Sequence, residues 1–378
     1  MGTHSPVIHR KVKPNTMFRI QSSVASTLLL GSCVATYDTL LGFNGAPEVE
    51  TRTIDEIYTA AVAEGGIVTC WHGGDEAMQQ DALKAAFEAR FPKMTLNLTV
   101  DLSKYQDSDI DRQLATDSVY VDSIILQTVQ DYPRWDQEGA ILRYMPMDYK
   151  ILYPQFRDIH GAWHATGVYP YTFTWHMDRI PDGPMEFEDF LKPEFKGKLV
   201  LTYPTDDDVT LYAMDLILQE FGLEWFDALL AQRPHWVRGT QTAATLLFTP
   251  NCTAGATFTT VVGLNPGAPL NVSIPTKGHF ATWAQRAAIL KDAPHPEGAK
   301  LLHNFLISEE YQRNTGVWSV RRDVPAPFGF PELVDIPATD PAQFERFMAD
   351  RERVERLRFF FESKIGTPQG PSSLIDGI

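Results

Sequence analysis

The sequence predicts an α/β fold, on three observations. Strand-like runs alternate with helix-like ones along most of the chain, the order that builds parallel sheets covered by helices. The 378 residues are 44% hydrophobic and 21% charged, close to globular averages, so a sizeable core is available. Residues 167–208, GVYPYTFTWHMDRIPDGPMEFEDFLKPEFKGKLVLTYPTDDD, set an aromatic and β-branched run and a second strand on either side of a Pro/Gly turn.

Residues 53–64 (TIDEIYTAAVAE) read as an amphipathic helix. Thr53 is its N-cap, Glu56 completes a capping box, and Gly65-Gly66 ends it. A short apolar strand follows at 67–71, then a helix at 76–91 with Leu83, Ala86, Phe87 and Phe91 on one face. Strand 94–100, helix 108–116 and strand 121–127 continue the alternation. Val168, Tyr169, Tyr171, Phe173 and Trp175 predict one long strand. A turn at Pro181–Pro184 leads to a short acidic helix at 185–191, the phrase KPEFKGK, and a strand at 199–203 that stops at Pro204. Helices at 210–221 and 225–232 and a strand around 254–260 come next. A strand pair after Gly278 leads to a helix at 296–307 with Leu302, Phe305 and Leu306 as its core stripe, and a terminal helix spans 341–363.

The long strand, KPEFKGK and the strand behind it resemble the hinge and second-lobe entry of type II extracellular solute-binding proteins of ABC importers, above all their ferric-iron and small-solute branch. HFATWAQRAAILKDAPHPEGAKLLHNFLISEEYQ resembles the return to the first lobe, and SVRRDVP with the terminal helix resembles the crossing back. The resemblance covers about residues 53–368. It implies a type II periplasmic-binding-protein-like architecture, two α/β lobes joined by crossing hinge strands with a cleft between. The division it implies is a leader and linker at 1–52, lobe 1 at 53–165 with a return segment at 266–316, and lobe 2 at 166–265 and 317–378 with the C-terminal helix. Binding and closure are implied rather than chemistry, with a small-molecule ligand and a membrane transporter as partners.

The net charge is −15, and the rest of the chain is more acidic than that, since in the first 44 residues Arg10, Lys11, Lys13 and Arg19 face only Asp38. So acidic a body repels phosphate backbones, which excludes nucleic acid as a natural partner. From Met17 the text MFRIQSSVASTLLLGSCVATYD has a basic start, an apolar core and small residues, a secretory signal pattern too short to span a bilayer comfortably. Leu30-Gly31-Ser32-Cys33 resembles a bacterial lipoprotein cleavage site, whereas sequons at Asn97, Asn251 and Asn271 favour a glycosylated, eukaryotic secreted protein. The expected address is secreted, cell-surface or periplasmic, with no membrane span in the mature chain. Cys70 and Cys252 remain in that chain, either paired or as two buried thiols.

Ligands of open α/β sheets sit beyond the carboxyl ends of strands, where helix N-termini present free N–H groups. That geometry selects the candidates. His72, Gly73 and Asp75 stand between a strand and a helix, the glycine allowing close approach and Asp75 equally a helix N-cap. Gln127, with Thr128 and Asp131, holds the equivalent place after a later strand. Tyr169 and Tyr171 lie on the hinge strand. Thr205, Asp206 and Asp207 precede a helix, where carboxylates are favourable with the dipole and can also hold a cationic group. Thr257 and Trp283 complete the set, the indole as a stacking surface or a core residue. The ferric branch supplies a pair of adjacent tyrosines where this chain reads Ala256-Thr257-Phe258-Thr259-Thr260. Without phenolates a hard ferric ion loses its strongest ligands, so ferric binding is not carried over.

No G-x-S-x-G, H-E-x-x-H or P-loop is present, and no cofactor or catalytic residue is expected. His160 and His164 read as loop histidines. The leading expectation is capture of a small polar or cationic organic solute by hinge closure. The alternatives are a secreted enzyme on the same scaffold acting on a small heterocyclic or amine metabolite, with Cys70 or Asp206 as its reactive group and His72 as a base, a metal-ion binding protein, and a secreted interaction protein with a vestigial cleft.

Overall fold

The structure, a computed structural model, describes residues 45–370 and Leu374. The signal pattern from Met17 and the Cys33 cleavage site lie outside the described residues. A short strand, β1 (Glu48–Val49), precedes α1 (Ile54–Glu64). Thr53 caps α1 as predicted: its hydroxyl accepts from the Glu56 N–H, and the Glu56 carboxylate accepts from the Thr53 N–H at 2.8 Å. Then come β2 (Ile67–Gly73), α2 (Asp81–Arg90), β3 (Thr95–Asp101), α3 (Ser103–Ala115) and β4 (Ser123–Leu126). The start of α2 at Asp81, later than the sequence suggests, has a local cause: Gln79 Oε1 accepts from the Asp75 and Glu76 N–H groups and folds that stretch into a turn.

The chain continues through α4 (Asp131–Gln137), β5 (Ile141–Leu142), β6 (Tyr144–Met145), β7 (His164–Pro170), β8 (Phe173–His176) and β9 (Val200–Thr202). The acidic helix expected at 185–191 is a single 3₁₀ stretch, Phe187–Leu191. α5 (Asp208–Ala231) holds both expected helices, which part at Gly222, whose φ of 74° a helix cannot contain. β10 (His235–Val237) and α6 (Thr240–Phe248) follow, then β11 (Ala256–Thr257), β12 (Leu270–Ser273) and β13 (Thr282–Leu290). The last helices are α7 (Pro296–Leu306), α8 (Glu309–Gln312), α9 (Gln343–Ala349) and α10 (Arg351–Ile365). The single terminal helix of the sequence reading is thus two, because Asp350 leaves helical geometry (ψ 75°) and caps α10 through the Arg353 N–H.

Two sheets organise these elements. The larger runs β3-β2-β4-β13-β5, with β7 also on β13; β2 is parallel to β3 and β4, and β13 is antiparallel to β4, β5 and β7. In the smaller, β8 lies between β11 and β12, and a parallel bridge from Leu199 to Ala256 brings in the parallel pair β9–β10. The run from Val168 to Trp175 is therefore not one strand. It breaks at Tyr171–Thr172 because its halves pair in different sheets, and the break is where the chain crosses from one lobe to the other.

Each sheet has its own core. Ile57, Val68, Leu96, Phe87 and Phe305 are buried against the large sheet. Against the small one Phe173, Phe187, Phe190, Trp225 and Phe258 form a chain of edge-on rings with centroids 4.8–6.2 Å apart. Truncating one such ring to alanine costs about 3–5 kcal/mol. Cys70 and Cys252 are both free thiols, and His164 is buried in β7 rather than looped out. No described helix is long and apolar enough to cross a membrane.

Candidate functional site

Parallel strands end together on both sides of one cavity of about 270 Å³. On the large-sheet side the ends of β2, β4 and β13 are tied to the start of α3. Ser103 Oγ accepts from the Gln127 N–H at 3.0 Å, and the Gln285 amide donates to Ile125 O at 2.9 Å. Gly73 is obligatory here, since a Cβ would run into the Ser103 hydroxyl and stand 3.1 Å from the Gln285 amide nitrogen. On the other side β9 and β10 lie side by side, and each feeds a helix, β9 into α5 and β10 into α6. Two helix N-termini therefore face the cavity, each with backbone N–H groups that favour negative charge.

The chain supplies a carboxylate to both. Asp207 caps α5: its Oδ1 accepts from the Thr210 N–H at 2.7 Å and from the Tyr171 hydroxyl at 2.9 Å, while Oδ2 accepts from the Gln127 amide at 3.0 Å. Asp75, from the loop after β2, does not cap α2. Its Oδ2 accepts from the Thr240 N–H and, at 3.2 Å, from the Gln241 N–H, so a residue of one lobe caps α6 of the other. Burial raises the Asp75 carboxyl to about 6, with the charge of Asp207 adding to the effect; Asp207 is also raised, chiefly by burial.

Asp206 and Asp208 are neutralised by cations. Lys104 Nζ reaches Asp206 Oδ1 at 3.3 Å and its carbonyl at 2.8 Å, and Arg238 donates twice to the same carboxylate at 3.2 Å. Arg358 pairs with Asp208 at 2.5 Å. Asp75 and Asp207 are held instead by N–H, hydroxyl and amide donors, while Lys104 and Arg238 together bring one positive charge more than Asp206 carries.

Of the sequence candidates, the structure brings Gly73, Asp75, Gln127, Tyr169, Asp206, Asp207 and Trp283 to the cavity wall. Tyr171 stands behind it, holding Asp207 and meeting the Trp283 ring edge-on at 5.2 Å. His72 is buried behind Gly73, with Nδ1 2.7 Å from the Gly73 carbonyl, and burial lowers it to about 4. Thr205 is half-buried outside the wall. Thr257 is fully buried in hydroxyl contact with Thr259, so the stretch that replaces the tyrosine pair is core. Burial pushes the Cys70 thiol up to about 12, and no thiolate forms beside His72 at neutral pH. Among the described residues no group of three or more His, Cys, Asp or Glu is placed to hold a metal.

The sequence reading missed Lys104, Gln285, Thr240 and Gln241. The last two follow HWVRG, a strand closed by glycine, which is a legible signal for a strand-to-helix junction. Lys104 and Gln285 lie inside elements that read as scaffold, and nothing local marks them.

This arrangement, two α/β lobes with a polar cleft between facing strand ends, is that of a solute-binding protein. Residues 138–341, more than half of the chain, match the bacterial extracellular solute-binding protein family, and the chain belongs to it. The family places the protein outside the cytoplasm, periplasmic or secreted, with a small-molecule ligand and an ABC transporter as its partners. No curated protein matches the sequence. Among solved structures, AfuA from Actinobacillus pleuropneumoniae, with fructose-6-phosphate bound, is 17% identical with a TM-score of 0.63 over 80% of this chain and 99% of that one. The periplasmic binding protein P5PA is 19% identical, with a TM-score of 0.61 over 79% and 99%. Iron-bound HitA from Pseudomonas aeruginosa is 15% identical, with a TM-score of 0.57 over 78% and 99%. At these identities the likeness is one of fold.

Proposed function

We infer that the cleft binds a small polar organic solute bearing a cationic group, such as an ammonium, and that the lobes close on it without chemistry. One observation carries the reading: both helix N-termini that face the cavity already hold a carboxylate of the chain, Asp207 on α5 and Asp75 on α6. A cation placed between these carboxylates offsets two buried negative charges at once. The amide side chains of Gln79, Gln127 and Gln285 add hydrogen-bonding capacity, and Trp283 and Tyr169, with ring centroids 5.7 Å apart, supply an aromatic wall against which a cation is stable. Closure follows because the solute touches residues of both lobes and so binds the shut form with higher affinity.

By sheet membership the first lobe comprises residues 53–171 and 282–316 and the second residues 172–281 with the chain from 317, since β12 at 270–273 pairs in the small sheet and β7 in the large one, which moves both boundaries from those the sequence suggests. Export by a signal sequence starting near Met17 belongs to the same reading. So does glycosylation at Asn97, Asn251 and Asn271, all three of which are exposed. Native mass spectrometry of the secreted protein tests both parts. A co-purified organic cation and a chain starting between residues 35 and 50 are expected; a bound anion would overturn the ligand class, and an intact N-terminus the address.

A further inference from the structure

The first turn of α6 has the parts of an anion cradle. Gly239, its N-cap, has no side chain with which to cap and stands at φ 79°. The N–H groups of Thr240 and Gln241 both meet Asp75 Oδ2. Thr242 is 6% exposed, and its Oγ1 is buried with no hydrogen-bond partner among the described residues. A Cβ on Gly239 would lie 3.0 Å from Asp75 Oδ2 and 3.1 Å from Thr242 Oγ1, so the hydroxyl and the carboxylate share the space the glycine leaves open. Two backbone donors, one hydroxyl and an absent side chain thus surround one point, and a carboxylate from the facing lobe fills it.

The charged groups around it are mixed. Glu76 follows Asp75 in its own loop and accepts from Thr245 of α6 at 3.1 Å. Lys104 comes from α3, Arg238 from the end of β10, and Asp206 and Asp207 from the start of α5. Both cations are held by Asp206.

We propose that this turn is an anion seat and that Asp75, by filling it, is the residue that keeps solutes carrying a carboxylate or phosphate out of the closed cleft. The proposal deepens, and rests on, the reading of the cleft as a site for cationic solutes. An incoming anion must expel Asp75 from two N–H donors and then share the cavity with two ionised carboxylates. Removing the Asp75 side chain frees both donors and leaves Asp207 as the one remaining carboxylate of the pair.

The test is calorimetric titration of inorganic phosphate into the full chain at neutral pH and low salt, for wild type, Asp75→Ala, Asp75→Gly and Asp75→Asn. The alanine and glycine variants bind phosphate at least about tenfold more tightly than wild type. Asp75→Asn, whose amide oxygen still fills the seat, stays near wild type. Adding Thr242→Val to Asp75→Ala weakens the gained affinity. The proposal is overturned if folded Asp75→Ala and Asp75→Gly are both blind to phosphate. Independently of any variant's folding, it is overturned if phosphate shifts the Thr240 and Gln241 amide resonances of wild type at comparable concentration. An organic cation indifferent to Asp207 would sink the functional reading and leave these phosphate results standing.

Discussion

The Tyr171 hydroxyl donates to Asp207 Oδ1 at 2.9 Å, which fastens the point where the chain crosses between lobes to the cap of α5. Tyr171 is itself raised well above the usual phenol value, by burial first and by the Asp207 charge second, so it remains a donor at any physiological pH. The carboxylate that faces the solute is thereby held by the hinge.

Replacing Asp207 by asparagine separates its two roles. Asparagine caps a helix as well as aspartate, so the unliganded protein should lose no more than about 1 kcal/mol. A cationic solute should lose about 1.5–3 kcal/mol, roughly ten- to a hundredfold in affinity. Thermal unfolding with and without the co-purified solute measures both. Equal ligand-induced stabilisation in variant and wild type would make Asp207 purely structural.

Asp75 gives a pH signature. Its folded carboxyl titrates near 6, above the unfolded value near 4. Between those values the native state holds the extra proton, so this contribution to stability is complete below about pH 4 and is lost as pH rises through 6. Asp75→Asn should therefore gain on wild type as pH rises from 4.5 to 7.5, by up to about 2–3 kcal/mol. A difference in melting temperature that stays constant across that range would refute it.

The histidines act in the opposite sense. Ser123 Oγ lies 2.9 Å from His303 Nε2, and His303 Nδ1 lies 2.8 Å from His164 Nε2, all buried. Burial lowers His72 and His164 to about 4, and it holds His303 well below its usual value, with the neighbouring His164 contributing. From pH 6.5 down to 4 the unfolded chain takes up protons that the native one refuses, a loss of roughly 3 kcal/mol for His164 alone. These three groups therefore each destabilise the protein on acidification. His164→Gln should flatten the fall in melting temperature between those limits; an unchanged slope would exclude the residue as its source.

Ferric citrate should produce no tyrosinate-to-iron absorption band. Thr257, Thr259 and Thr260 are fully buried core residues, and the Tyr171 hydroxyl is committed to Asp207 and Thr210. A stable coloured stoichiometric complex would contradict this.

What the sequence disclosed was governed by range. The Thr53–Glu56 capping box was legible because both partners lie within one turn. Residues 168–175 carry strand composition throughout, and only their pairing partners, more than eighty residues onward, decide where they break. The loop after β2 was recognisable as cleft lining from its place at a strand end. That Asp75 caps α6 depends on a helix 165 residues away, and no local pattern encodes it. Lys104 was hidden for the same reason, since its partner Asp206 lies 102 residues away.

The pairing of Arg358 with Asp208 spans 150 residues. During synthesis the α5 end of the cleft emerges long before α10, and until α10 docks, that aspartate sits at its helix terminus without its guanidinium. The pocket is thus finished by a stretch of chain made well after its α5 end. Truncation within α10 would take Val354 and Phe361 from the core of the second lobe together with the Arg358 guanidinium, so a lesion there would reach the wall of the cleft through the packing behind it.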